Sequence, residues 1–180
     1  EIMPSLVGSE MCIRDSLLTI YRKYPLSELI VHPRIQKEFY KGVPHRDAWA
    51  AVSGPWPAVY NGDIFTPEDA AALCRDYPGT DAAMLGRGLM RDPALLRRLR
   101  GGPAASAQEL RTYHDRLLEA YRQRLSGDQP VMHRMWELWA YLSAGFARPE
   151  PYLKRMRKAK GLTEYQAAVD ALFREQRYTT

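Results

Sequence analysis

Three short segments of the sequence carry residue types that could bind an anion, and each of them ends an apolar run. Their residues are His32 and Arg34 in the first, Asn61, Gly62 and Asp63 in the second, and Gly86, Arg87 and Gly88 in the third. Glycine lets the backbone approach a ligand closely, and arginine makes bidentate charge-assisted hydrogen bonds to phosphate. The second and third segments together are therefore typical of a phosphate cradle.

Two of these residues also have simpler interpretations. Asp63 could form an Asx-type turn or cap the helix that follows it. Arg34 could form a surface salt bridge, which contributes little to stability. Each segment alone is a weak signal, and only their order and spacing are specific.

The dipeptide Asn61-Gly62 leaves two local structures open. Flanked by apolar residues, it is typical of a β-hairpin, because both residues tolerate positive φ. The residues behind it favour a helix instead: Thr66 suits an N-cap and Pro67 suits the first helical position. We therefore predict a strand that leads into a strand-to-helix loop.

Similar patterns predict three strands separated by helices. The strands fall at Leu29–Val31 and within PAVYNGDIF and DAAMLGRGL, and the helices at 17–24, 45–52, 66–77 and 92–100. Continuous apolar runs predict strands buried on both faces, and the alternation predicts parallel βα units. In such units ligands bind at the carboxyl ends of the strands, where the three segments lie.

From Pro103 onward the strand patterns stop and four helical patterns follow. This part has 13 Lys or Arg residues against 9 Asp or Glu residues. Its densest basic cluster consists of Lys154, Arg155, Arg157, Lys158 and Lys160. The cluster could be a solvated helix face or could neutralise RNA phosphates.

Trp136, Trp139 and Tyr141 could stack on bases, but the spacing of Met135, Leu138, Trp139 and Leu142 favours core positions.

Bulk composition excludes several classes of protein. With 46% hydrophobic residues in 180, the chain can bury a core, and its net charge of +5 permits a polyanionic partner without requiring one. Cys12 and Cys74 form neither a disulfide framework nor a zinc-ligand set. No apolar run approaches a membrane span, and no secretory signal is evident, so a cytoplasmic protein is expected.

The stretch VGSEMCIRDS, residues 7–16, has no amphipathic period. It is typical of a translated sequencing-adapter or assembly junction, although an ordinary N-terminal loop is the alternative. We expect residues 1–16 to be foreign to the protein, so that Cys12 carries no information.

Three longer segments of the sequence resemble the last third of the catalytic barrel of the tRNA-dihydrouridine synthases, which are flavin enzymes. These segments are YPLSELIVHPRIQKEFYKG, VYNGDIFTPEDA and AMLGRGLMRDPALL. HRMWELWAYL and LKRMRKAK are similar to the C-terminal helical domain of that family. The resemblance covers residues 17–172. It implies an α/β plus all-α chain: the C-terminal part of an FMN-binding TIM (β/α)₈ barrel over 17–102, then a helical RNA-binding domain over 103–180.

The resemblance also implies what the site residues do. His32 would lie beside the flavin ring or its ribityl chain. Asn61, Gly62 and Asp63 would line the phosphate side of FMN, chiefly through their backbone, and Gly86 and Arg87 would bind the phosphate. Arg34 would contact cofactor or substrate if it is not a salt bridge. The partners implied are tRNA and, as reductant, NADPH, with no metal and no membrane. The full-length enzyme is expected to be monomeric.

The family also uses a cysteine in an early barrel loop and a lysine on an earlier strand, and this sequence has neither position. Cys74 shares helical spacing with Ala70 and Ala71 and is interpreted as a small core residue. We therefore assign no catalytic residue. A full barrel needs roughly 250 residues, so this chain would supply only three of its eight strands. Such a piece would leave an apolar edge exposed, and we therefore expect the chain alone to be inactive.

Two other interpretations stay open at this point. One is a noncatalytic RNA-binding fragment whose only competent part is the basic helical tail. The other is a different FMN-dependent TIM-barrel oxidoreductase, such as a dihydroorotate dehydrogenase relative, against which the basic tail argues.

Overall fold

The computed structural model describes residues 15–38, 42–52 and 54–179, apart from the side chain of Gln36. Most of the predicted junction, including Cys12, lies outside these residues. The described chain groups into two compact units. One holds the residues up to Asp63 together with Asp69–Leu85, and the other holds Ile64–Glu68 and the residues from Gly86 onward. The predicted domain boundary near Pro103 stays a prediction.

The first unit contains a small sheet and short helices. In chain order these elements are helix α1 (15–21), strand β1 (Leu29–Val31), a 3₁₀ helix (Gln36–Glu38), helix α2 (Arg46–Ala50), strand β2 (Ala58–Asn61), helix α3 (Pro67–Asp76) and strand β3 (Ala82–Met84). The first two residues of α3, Pro67 and Glu68, are grouped with the second unit. The sheet is parallel in the order β1-β2-β3, with Leu29 opposite Ala58 and Val59 opposite Ala82. The predicted parallel strands are therefore confirmed, and α3 begins at Pro67 as its sequence signal indicated.

Burial differs between the central strand and its neighbours. On β2, Val59 is 8% exposed and Tyr60 is fully buried, whereas Ile30 on β1 and Met84 on β3 are each 45% exposed. Every residue of β3 is exposed. The prediction of burial on both faces is thus wrong for β1 and β3. Both are edge strands in the described sheet, and an edge strand is covered on fewer sides than a central one.

Cys74 is exposed, so its prediction as a core residue is wrong. α3 buries Leu73, which is only 1% exposed. Consecutive residues of a helix point about 100° apart. Burial of Leu73 therefore turns the next side chain away from the buried face.

The second unit is helical. It contains α4 (Arg87–Arg91), α5 (Leu95–Leu99), α6 (Ala107–Arg124), α7 (Asp128–Leu142), a 3₁₀ turn (Ser143–Gly145), α8 (Glu150–Lys158) and α9 (Leu162–Glu175). The four helices predicted after Pro103 are all present. α4 was not predicted, because the Gly86-Arg87-Gly88 segment was assigned to a strand end. Gly88 is required there, since an added Cβ would lie 2.0 Å from the Ile64 carbonyl oxygen.

The core of the helical unit is formed by buried residues of α6, α7, α8 and α9. Met135, Trp139 and Leu142 are fully buried and Leu138 is 7% exposed, which confirms their prediction as core residues. A capping box between Ser106 and Glu109 starts α6. The pKa of the Glu109 carboxyl is lowered to about 2, first by its hydrogen bond from Arg97. None of the described helices is long and apolar enough to cross a membrane.

Candidate functional site

The ends of β1 and β2 bring two of the predicted site residues into contact. Val31 pairs with Tyr60, so the residues that come next in the chain, His32 and Asn61, are neighbours. His32 lies 2.6 Å through its Nδ1 atom from the Asn61 carbonyl oxygen. A carbonyl oxygen only accepts hydrogen bonds, so Nδ1 carries the proton and donates. His32 is exposed, which leaves Nε2 as the ring nitrogen that can contact a ligand.

Arg34 and Asp63 form a second contact across the same strand ends. The guanidinium donates to the Asp63 carboxylate over 2.6 Å, and the two side chains are 1% and 21% exposed. Arg34 also donates to the Gly42 carbonyl at 3.2 Å. Gly42 has a φ of 74°, a conformation that favours glycine. The ion pair is therefore partly buried, with the guanidinium shielded from water, and it connects two loops, which the interpretation of Arg34 as a surface salt bridge did not anticipate.

Gly62 provides space for a neighbouring side chain rather than an unusual backbone angle. A Cβ added at Gly62 would lie 2.1 Å from the Tyr60 hydroxyl oxygen. Tyr60 is fully buried and makes an edge-to-face contact with Trp49, with ring centroids 5.5 Å apart. Its hydroxyl has no hydrogen-bond partner in the described part of the chain. Sequence reasoning missed Tyr60. A signal was available, because in the predicted strand segment PAVYNGDIF residues two apart share a face, and a glycine two residues after Tyr60 leaves space for its side chain.

Gly86 and Arg87 belong to the second unit. A Cβ added at Gly86 would meet no atom within 4 Å, so its backbone is sterically open. The guanidinium carbons of Arg87 and Arg91 lie 5.8 and 5.6 Å from the centre of the Phe65 ring. Phe65 thus holds two cations by cation–π attraction, a role the sequence did not indicate. That Gly86 and Arg87 share one phosphate site with Asn61, Gly62 and Asp63 stays a prediction.

The predicted basic cluster is exposed on one side of α8 and just beyond it. All five of its side chains are exposed, namely those of Lys154, Arg155, Arg157, Lys158 and Lys160. Tyr152 and Met156 are buried on the other side of the helix. Within the described residues, none of the five forms an ion pair with a carboxylate. Their positive charges are therefore available to a polyanion.

Metal-ligating side chains are not clustered in the described part of the chain. Across residues 15–38, 42–52 and 54–179, no group of three or more His, Cys, Asp or Glu residues could hold a metal ion.

Comparison with known proteins gives one consistent result. The family model described as dihydrouridine synthase (Dus) matches residues 23–177. A tRNA-dihydrouridine(16) synthase of Cupriavidus necator is 30% identical over 152 residues, which are 76% of this chain and 47% of that protein. Its counterpart in Shewanella oneidensis is 28% identical over 159 residues, covering 83% of this chain and 48% of that protein.

A shorter match has higher identity. The tRNA-dihydrouridine(16) synthase of Ralstonia nicotianae is 38% identical over 96 residues, which are 49% of this chain and 29% of that protein. In its longest matches the chain spans about half the length of the curated relatives.

Proposed function

The chain belongs to the dihydrouridine synthase family, and we propose from this that it is part of an enzyme that reduces a uridine of tRNA to 5,6-dihydrouridine. The observation that carries the proposal is the family match over residues 23–177. The parallel sheet and the polar residues at its strand ends support it. In this proposal residues 17–102 are the C-terminal part of a TIM barrel and residues 103–180 bind RNA. A tRNA-modifying enzyme of this kind would act in the cytoplasm.

FMN is the cofactor we propose, and two observations fit it. A Cβ added at Gly86 would meet no atom within 4 Å, which leaves room for a phosphate at the residue that precedes Arg87. The buried Tyr60 hydroxyl lacks a partner in the described chain and lies against Gly62, where a polar ligand group would satisfy it. When bound, FMN would carry a hydride between NADPH and the uracil ring.

The residues of this chain would bind and orient rather than react. Through Nε2, His32 would contact the flavin, since Nδ1 is held by the Asn61 carbonyl. The Arg34–Asp63 pair would fix the loops around it. Arg87 would supply the charge that binds the phosphate. No residue of this chain is assigned the role of catalytic acid.

One experiment tests the enzymatic activity directly. The intact gene, recovered with its upstream reading frame, would be expressed in a bacterial strain that lacks its own dihydrouridine synthases, and tRNA dihydrouridine would be measured by mass spectrometry. We expect dihydrouridine to be restored. An intact gene that encodes neither an early-loop cysteine nor a strand lysine, and restores none, would contradict the proposal.

A matched pair of variants tests the phosphate role of Arg87 in the intact enzyme. Arg87→Met should weaken FMN binding about 10- to 100-fold, as expected for loss of a hydrogen bond to a charged group. Arg75 lies on α3 with its side chain 72% exposed, so Arg75→Met is the control and should bind FMN normally. Equal FMN affinity in both variants would remove Arg87 from the site.

A noncatalytic RNA-binding protein is the second candidate, and the exposed basic cluster favours it independently of any enzyme. In either case Lys154→Gln and Lys158→Gln should each weaken tRNA binding. Each should also reduce by about one the slope of log affinity against log salt concentration. RNA binding without restored dihydrouridine would favour this candidate over the enzyme.

A further inference from the structure

A groove of about 310 Å³ lies between α7 and α8. Two buried methionines, Met132 and Met156, contribute apolar surface to it, and Gln129, His133, Trp136 and Arg157 contribute polar and aromatic surface. Its volume is at the lower end of the range of about 300–1,000 Å³ that small-ligand sites occupy. The groove is thus suited to a group of modest size with a flat or apolar part.

Trp136 and Arg157 form a stacked pair in this groove. The guanidinium carbon of Arg157 lies 4.6 Å from the centre of the Trp136 ring. Arg157 is exposed and forms no ion pair with a carboxylate among the described residues, so the indole ring is what holds it. Trp136 is only half-buried, unlike Trp139 three residues later, which is fully buried. The pair therefore presents flat π surface and positive charge at the protein surface.

Flat π surface and an arginine plane are the groups on which proteins stack unpaired nucleobases. Lys154, Lys158 and Lys160 lie within three residues of Arg157 along the chain and are exposed, so they add positive charge near the stacked pair that would attract the phosphates of a nucleic acid. An acidic polypeptide would satisfy the lysines but would gain nothing from the stacked pair. The combination favours a nucleic acid that has at least one unpaired base.

We infer that this groove binds one unpaired nucleotide of the RNA partner, with its base stacked against the Trp136–Arg157 pair and its flanking phosphates at the α8 lysines. The inference rests on the proposed function, which supplies RNA as the partner. It adds to the proposed function that the helical unit distinguishes unpaired RNA from paired RNA. Charge on α8 alone would not provide such discrimination.

The test uses the full 180-residue chain and two RNA probes, an oligouridylate and a blunt duplex of similar length. Binding is followed by titration and by quenching of tryptophan fluorescence. Trp136→Leu should weaken oligouridylate binding about tenfold, which is within the effect of losing one stacked base. It should also abolish part of the quenching and leave duplex binding unchanged. Trp136→Phe, which retains a ring, should preserve most of the affinity.

Lys158→Gln is the matched control, since it removes charge but no stacking surface. It should weaken both probes to a similar extent. Thermal unfolding of each variant shows whether it is folded. If the leucine variant unfolds, Arg157→Gln replaces it and should weaken oligouridylate binding more than Lys158→Gln does, because both remove one charge but only Arg157 stacks on the indole ring.

Three results would overturn the inference. The first is wild-type affinity for oligouridylate in a folded Trp136→Leu chain. The second is polyglutamate causing the same Trp136-dependent quenching. The third is a wild-type chain that does not bind oligouridylate. If Trp136-dependent binding holds but the intact gene restores no dihydrouridine, the proposed enzyme fails and the groove stands.

Discussion

Arg34 and Asp63 differ in exposure, and this difference predicts which of the two substitutions lowers the free energy of unfolding more. Their side chains are 1% and 21% exposed. Asp63→Asn removes the carboxylate charge that contacts a desolvated guanidinium, whereas Arg34→Met leaves a carboxylate that still contacts water. We expect Asp63→Asn to lower the free energy of unfolding by about 3 kcal/mol and Arg34→Met by about 1 kcal/mol. Urea denaturation measures both values.

The exposed pair Arg75–Asp76 supplies the control for this comparison. Its side chains are 72% and 47% exposed. Asp76→Asn should therefore change the free energy of unfolding by no more than about 0.5 kcal/mol. Equal losses in Asp63→Asn and Arg34→Met would argue that the exposure difference has no energetic consequence.

The unpaired hydroxyl of Tyr60 gives a prediction of opposite sign. A buried polar group without a hydrogen bond costs about 1–3 kcal/mol, and within the described chain this hydroxyl has no partner. Tyr60→Phe should therefore raise the free energy of unfolding of the ligand-free chain by about 1 kcal/mol. Tyr152→Phe is the control and should lower it by a similar amount, because the Tyr152 hydroxyl donates to Glu175 over 2.8 Å. A loss of stability in both variants would contradict the assignment.

At the scale of elements, one hydrogen-bonded chain connects α6, α7 and α9. The Trp139 indole N–H donates to the Tyr165 hydroxyl oxygen over 2.7 Å, and that hydroxyl lies 2.8 Å from Nε2 of His114. Nδ1 of His114 lies 2.8 Å from the Asp115 carboxylate. Since the carboxylate only accepts, Nδ1 carries the proton and Nε2 accepts from Tyr165. The neutral form of His114 therefore satisfies every group in the chain.

Protonation of His114 would place a second donor against the Tyr165 hydroxyl. Burial of the imidazole lowers the pKa of His114 from its ordinary 6.5, although Asp115 and Asp170 favour the charged form and Arg111 opposes it. A depressed pKa means that the unfolded chain binds this proton more readily than the folded chain. The stabilisation is thus fully present above pH 6.5 and is lost as the pH falls from there toward the pKa of the folded chain.

We expect a stability-versus-pH curve to show this loss, with a contribution from His114 of at most about 1.4 kcal/mol per pH unit. His114→Gln should remove that contribution. The control is His133→Gln on the exposed face of α7, which should leave the slope unchanged. Denaturant midpoints measured from pH 7.5 downward provide the curves, and an unaltered slope in His114→Gln would assign the titration elsewhere.

Elements were predictable from the sequence where short-range signals define them. The Thr66-Pro67 signal located the start of α3, and the four helices after Pro103 follow from their apolar periods. Contacts between distant positions were not predictable in this way. The pairing of Arg34 with Asp63 and the stacking of Arg157 on Trp136 depend on how separate elements pack. The prediction that Cys74 is a core residue was wrong for the same reason, because its helical spacing with Ala70 and Ala71 does not show which face of α3 is covered.

At the scale of the whole molecule, the exposed edges of the sheet and the length of the curated relatives bear on the same question, which is whether more strands belong beside this sheet. β1 and β3 each lack a second neighbouring strand among the described residues, and they expose Ile30 and Met84 to the same extent, 45%. Apolar edge strands are normally paired or covered. The curated relatives in the longest matches are about twice as long as the matched part. Both observations support the proposal that further barrel strands belong beside this sheet.

The last prediction follows from these open edges. We expect the 180-residue chain, purified alone, to show no visible flavin absorbance band, and we expect the band to appear when the chain is co-expressed with the upstream half of its gene. Met84→Glu should prevent this recovery, because a carboxylate at a strand edge opposes pairing with another strand. Leu96→Glu on α5 is the control with matched exposure, at 46% against 45% for Met84, and should permit recovery. A stoichiometric flavin band in the chain alone would show that three strands suffice to bind the cofactor and that the open edges do not limit it.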